Sequence, residues 1–182
     1  MSTSRRVVLA RAAAALAFPA VAPRLALAQA GKLKIGLMLP YSGTFAQIGN
    51  SIELGFRMAL QEQGNKLGGR EFEFIKLDDE SEPSKGVENA SRLVQRDKVD
   101  VLVDTVHSGV QMGIHKVARE SGVLCLIPNA GVHAATRALC APNVFRTSFS
   151  NSQPTLALGK PMMDKGLKKA VWISWKYAAG EE

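Results

Sequence analysis

At 182 residues the chain is long enough for one domain with an ordinary hydrophobic core, and its make-up, 46% hydrophobic and 21% charged, is that of a globular protein. The formal charge of +7 points at first to nucleic acid, but Arg5, Arg6, Arg11 and Arg24 all fall in residues 1–30, where there is no acidic residue. No dense basic run with interleaved aromatics remains elsewhere, so composition gives a nucleic-acid partner no support.

Residues 1–30 read as an export signal. A basic start, Ser4-Arg5-Arg6, precedes an alanine-rich apolar run over residues 12–21, and Ala28-Gln29-Ala30 makes a small-x-small cleavage site, with cleavage expected after Ala30. The run is shorter than the ~20 apolar residues of a spanning helix and is broken by Pro19, with Pro23 and Arg24 close behind. Ser4-Arg5-Arg6-Val7-Val8-Leu9 resembles a twin-arginine signal, with Val8 where phenylalanine is preferred, so the twin-arginine and general secretory routes both stay open. No cysteine stands at the cleavage site, and a lipid anchor is not indicated. Export to the periplasm would put Cys125 and Cys140 where a disulfide is allowed, although spacing alone does not decide whether they pair.

After the signal, residues 33–39 (LKIGLML) predict a strand that runs into a glycine-containing loop, residues 41–49. A helix is expected from about Ser51, with Ile52, Phe56, Ala59 and Leu60 on one face, closing near Gly64. Residues 71–77 (EFEFIKL) alternate as a half-buried strand does, and Asp78-Asp79-Glu80-Ser81-Glu82 reads as a solvated acidic loop. Pro83 suits the first turn of a helix burying Val87, Ala90 and Val94.

Two apolar runs, 101–103 and 123–127, then flank a helix that would bury Val110, Ile114, Val117 and Ala118 and stop at Gly122. That unit is a right-handed parallel crossover. Ser108 is expected to cap its helix, where unpaired N–H groups attract carboxylates and phosphates. Residues 128–142 are irregular, 144–146 form a short strand, and Asn151-Ser152-Gln153-Pro154 reads as a crossing point. A helix over 155–165 and a buried strand over 170–175 (AVWISW) follow. The alternation predicts an α/β fold with a doubly wound parallel sheet and helices on both faces.

Several chemistries can be tested against this layout. Gly43 and Gly49 do not make G-x-G-x-x-G, and no phosphate-loop pattern occurs, so no nucleotide cofactor is expected. Ser108, His107 or His133, and Asp104 supply the residue types of a serine hydrolase, but there is no G-x-S-x-G elbow. His107, His115 and His133 lack the spacing of a metal site, and His115 points away from the apolar stripe as a solvated residue would. What survives is three loops at strand carboxyl ends, 41–49, 105–109 and 129–133, which a doubly wound sheet brings together. Hydroxyls of Ser42, Thr44 and Ser108, N–H groups near Gly131, and apolar surface from Tyr41, Phe45 and Ile48 match a small-molecule pocket.

The text LKIGLMLPYSGTFAQIGNSIELGFRMAL, the acidic loop before Pro83, DKVDVLVDTVHSGVQMGIHKVARESGVLCLIPNAG, CAPNVFRTSFSN and the pair Tyr177 and Gly180 together resemble the type I, leucine-binding-like solute receptors of ABC importers. The resemblance runs from Lys32 to Glu182. It implies two lobes closing on a ligand, with residues 31–150 as the first lobe and 151–182 as the hinge crossing and the start of a second. It places Ser108 on a ligand carboxylate, Asn129, Ala130 and Gly131 as backbone contacts, Ile48 where some relatives set a tyrosine, and Tyr177 as a second-lobe contact. Gly131 stands where many relatives have a threonine, which points away from an amino acid, and residues 140–146 resemble a subgroup taking aromatic or other organic acids. The implied partners are a small carboxylate, either a branched-chain amino acid or an aromatic or related organic acid, and a membrane permease. Asp104 replaces a usual glycine and would oppose an anion unless neutralised or turned away. A sensory receptor of the same fold is the alternative. Because such receptors are longer, the chain is expected to be a truncated receptor that binds poorly as written.

Overall fold

A computed structural model describes residues 31–182; the expected export signal and its cleavage site lie outside the described residues. Five strands, β1 (Leu33–Leu39), β2 (Phe72–Asp78), β3 (Val101–Val103), β4 (Leu124–Ile127) and β5 (Val144–Arg146), pair in the order β2-β1-β3-β4-β5. Every pairing is parallel, and Lys76, Leu37, Val103, Leu126 and Phe145 form one row across the sheet. The chain moves outward from β1 to β2 and then returns to the other side of β1. That reversal opens a crevice beyond the carboxyl ends of β1 and β3, where ligands bind in sheets of this kind.

Alternation along β1 divides the core. Ile35 and Leu37 point to one face, with Val103 and the partly buried Phe56, Phe72 and Phe74, while Met38 points to the other with Leu93, Leu102, Ile114, Cys125 and Ile127. Helix α1 (Ala46–Glu62) lies on the first face. Helices α2 (Pro83–Ser91), prolonged by a π-helical turn over Arg92–Arg96, and α3 (Ser108–Ser121) cover the second. The first face is less fully covered: a groove of about 470 Å³, lined by Phe56, Ile52, Val101, Leu124 and Leu126 among others, runs beside α1.

The five strands from residue 33 to residue 146 and the α3 crossover match expectation, including the left-handed Gly122 cap at φ 75°. Helix α1, however, starts at Ala46 rather than near Ser51. Gly49 is therefore a helix residue and not part of the loop, and it serves close approach: a β-carbon there would lie 2.0 Å from the Pro40 carbonyl oxygen. In α2 the buried side is Gly86, Ala90 and, in the π-helical turn, Leu93, while Val87 is 45% exposed. The acidic loop is not a solvated face, since Asp79 is fully buried and Ser81 nearly so.

Two further expectations fail for lack of partners or because of them. Residues 170–175 are apolar but irregular and exposed, with Val171 at 88% and Ile173 at 89%, because an apolar run becomes a strand only when a neighbouring strand takes up its backbone groups. His115 is buried rather than solvated, and its Nε2 lies 2.8 Å from the Leu139 carbonyl oxygen, a bond across 24 residues that helical periodicity does not reveal. Helix α4 (Ser152–Asp164) buries none of its residues. Cys125 is buried, Cys140 is exposed, and neither is in a disulfide.

Candidate functional site

The crevice at the sheet reversal is walled by the β1–α1 loop, the start of α3 and the two segments after β4 and β5. Asp78 organises the first wall. Its carboxylate accepts hydrogen bonds from the backbone N–H of Tyr41 (2.9 Å), Ser42 (3.3 Å) and Glu80 (2.9 Å) and from the Ser42 hydroxyl (2.6 Å). Burial alone would raise its pKa, but these donors together hold it below the usual carboxylate value.

Behind α3 lies a buried acidic group. Asp104 and Asp79 are both fully buried, and Thr105 joins them, its N–H donating to Asp104 and its hydroxyl to Asp79. The Cys125 thiol sits 3.6 Å from Asp104. Burial pushes the Asp104 pKa up to about 8, and burial raises Asp79 as well. Burial thus favours the neutral form of Asp104, which weakens the anion repulsion that its appearance in the sequence suggests.

Ser108 does not cap α3. The cap is His107, whose Nδ1 accepts from the N–H of Gly109 (3.0 Å) and Val110 (3.2 Å), while Ser108 is the first helical residue. A ring nitrogen that accepts two N–H groups cannot carry a proton, so His107 is neutral with its proton on Nε2. Burial lowers its pKa, opposed by the charge of Glu82. Ser108 is only 2% exposed, and the Asn151 side-chain amide donates to its Oγ at 3.3 Å. With His107 Nδ1 occupied by backbone and Ser108 facing an amide, the pair lacks the nucleophile–base contact of a hydrolase.

The segments after β4 and β5 are tied to one another. Ser148 donates to the Asn129 carbonyl (3.1 Å), Asn151 N–H to the Gly131 carbonyl (2.8 Å), and His133 Nδ1 meets Ser152 Oγ at 3.1 Å. Ala130 is buried and its N–H donates to the Thr105 carbonyl at 3.2 Å. The backbone groups of Asn129, Ala130 and Gly131 named here are thus used within the fold, and the N–H that faces a carboxylate belongs to His133. Both oxygens of the Glu182 side chain accept from it, at 2.9 and 3.1 Å, and Glu182 Oε2 also accepts from Asn151 Nδ2 at 2.9 Å.

Four rings gather around His107 at the head of α3. His107 is 5.8 Å from Phe45 and 5.2 Å from Tyr177, and Trp175 is 6.5 Å from Phe45 and 6.2 Å from Tyr177. Tyr177 thus packs against His107 at the head of α3. The ring brought there by the β1–α1 loop is Phe45, while Ile48 is 41% exposed on α1. Tyr41 is engaged elsewhere, its ring 4.4 Å beneath the Lys76 ammonium at the β2 edge, with Glu53 close enough, after burial, to raise its pKa. Asn151 and His133 N–H are the groups that residue patterns missed, because one read as turn punctuation and the other is a backbone atom. Among the described residues no group of three or more His, Cys, Asp or Glu side chains is placed to hold a metal, and no helix is long and apolar enough to cross a membrane.

A family model described as periplasmic binding protein matches residues 32–182. The chain belongs to that family. The Leu/Ile/Val-binding protein homolog 3 of Brucella melitensis is 34% identical over 73% of this chain and 37% of its own length. Homolog 6 of Brucella abortus is 28% identical over 84% of this chain and 39% of its own. Among solved structures, an ABC transporter solute-binding protein from R. palustris in complex with benzoate is 56% identical, with a TM-score of 0.79 over 83% of this chain and 42% of that one. A second R. palustris solute-binding protein, in complex with 4-hydroxybenzoate, is 27% identical with a TM-score of 0.75, over 82% and 40%. The chain thus spans about two fifths of the length of these relatives.

Proposed function

We propose that this chain supplies one ligand-binding lobe, residues 31–150, and the crossing to a second, of a periplasmic solute receptor. The receptor captures a small aromatic carboxylate and presents it to the permease of an ABC importer, with no catalytic step. The observation that carries the ligand class is the 56% identity, over 83% of the chain, to a solute-binding protein holding benzoate. The cluster of Phe45, His107, Trp175 and Tyr177 beside hydrogen-bond donors supports it, since an aromatic acid needs an apolar ring site next to an anion site. The Leu/Ile/Val-binding relatives favour a branched-chain amino acid as the second reading, at lower identity.

The test is a titration of the isotopically labelled chain with benzoate and with leucine at millimolar concentration, followed by amide chemical shifts. Benzoate is expected to move the resonances of residues 107–109 and 129–133, and leucine to leave them in place. The opposite pattern would overturn the ligand class. Ester hydrolysis that disappears in Ser108→Ala would overturn the receptor reading.

A further inference from the structure

The Glu182 side chain reports which atoms of the crevice accept a carboxylate. Its two oxygens take hydrogen bonds from His133 N–H and the Asn151 amide, and Ser108 lies behind that amide. We infer that Asn151 and the His133 N–H are the carboxylate anchor of the ligand site, that Asn151 stands between the ligand and Ser108, and that Glu182 competes with the ligand for the anchor. This rests on the carboxylate-receptor reading and assigns its contacts.

Three features of the chain support the assignment. An amide nitrogen has two protons, and here one points to Ser108 Oγ and the other to Glu182, so Asn151 serves both neighbours without rearrangement. Its backbone N–H bonded to the Gly131 carbonyl and the hydrogen bond between His133 Nδ1 and Ser152 hold the two donors together before any ligand arrives, which lowers the ordering cost of binding. Glycine at 131 is required for this arrangement, because a β-carbon there would fall 2.1 Å from Asn151 Oδ1.

Positive charge is also in place. Arg146 donates to the Val132 carbonyl at 2.8 Å, next to the anchoring N–H, and its guanidinium feels the Glu182 charge. The donors match a carboxylate with two acceptor oxygens and give a neutral amide or alcohol much less, since hydrogen bonds to an ionised acceptor are about twice as strong.

The experiment compares the 182-residue chain with Glu182→Gln, Asn151→Ala and the double variant, using benzoate as probe, benzamide as control, and the His133 amide and Asn151 side-chain resonances as readout. Expected results are a shift of the His133 amide in Glu182→Gln without ligand, several-fold tighter benzoate binding by that variant, and on the order of tenfold weaker binding when Asn151→Ala is added. Benzamide should not compete. Equal benzoate affinity with and without Asn151 would overturn the anchor while leaving the receptor reading intact. Failure of every form to bind any carboxylate would overturn both.

Discussion

The side-chain amide oxygen of Asn151, Oδ1, occupies the space that a side chain on residue 131 would need, 2.1 Å from the position of a β-carbon there. The backbone nitrogen of Asn151 is 2.9 Å from the same point. Gly131→Ala must displace one or the other and is expected to cost about 1–3 kcal/mol in urea denaturation. Adding Asn151→Ala should return part of that loss, because the worse of the two collisions disappears. Purely additive losses in the double-mutant cycle would contradict this coupling.

Asp104 and its neighbour Cys125 predict a stability that falls as pH rises. In the fold Asp104 keeps its proton to about pH 8, whereas an unfolded aspartate releases it near pH 3.9. Between those values the native state binds the extra proton, so stability declines by at most ~1.4 kcal/mol per pH unit and levels off above the folded pKa. Asp104→Asn keeps an oxygen for the Thr105 N–H and removes the titration. Its melting temperature should exceed that of the unsubstituted chain, by more at pH 8 than at pH 5. Parallel pH profiles for the two proteins would show that Asp104 is ionised in the fold.

His107 predicts the opposite slope on the acid side. Its folded pKa lies below that of a free histidine, chiefly through burial, so the unfolded chain takes up a proton first as pH falls. Stability from this residue is present above the unfolded value of about 6.5 and is lost as pH drops below it. His107→Ala removes the acceptor for Gly109 and Val110 and should cost about 1 kcal/mol at pH 7.5, while His107→Asn restores a cap and most of the stability. Thermal melts at pH 7.5 and 5.5 test both statements, and an unchanged melting temperature in His107→Ala would refute the capping role.

Glu53 joins α1 to the sheet. It is 7% exposed, 2.7 Å from both Arg57 and Lys76, and its pKa is lowered in spite of burial, chiefly by Lys76 and with help from Arg57. Its stabilisation is present above the unfolded glutamate value near 4.3 and lost as pH falls through the lower folded value. Glu53→Gln should cost about 1–2 kcal/mol at pH 7 and less at pH 3, as read from urea midpoints at the two pH values.

Local order was written plainly in the chain. An apolar run, period-two alternation and helical spacing place β1, β2 and α3 closely, because each pattern reflects a surface buried against the neighbouring layer, and the run of strands and helices implies the parallel sheet and its crevice. Ser108 does stand at the head of α3, as its first residue and not as its cap. The roles within the crevice came from contacts that no local pattern encodes: Asn151 reaches Ser108 across 43 residues, and Glu182 reaches His133 across 49. The same holds where a local rule misled. His107 took the cap from Ser108 by bending its own ring onto two N–H groups, the carbonyl of Leu139 drew His115 inside, and residues 170–175, apolar enough for a strand, found no strand beside them. Periodicity reports which side of an element is buried; which polar atoms meet in the crevice depends on how distant segments pack together.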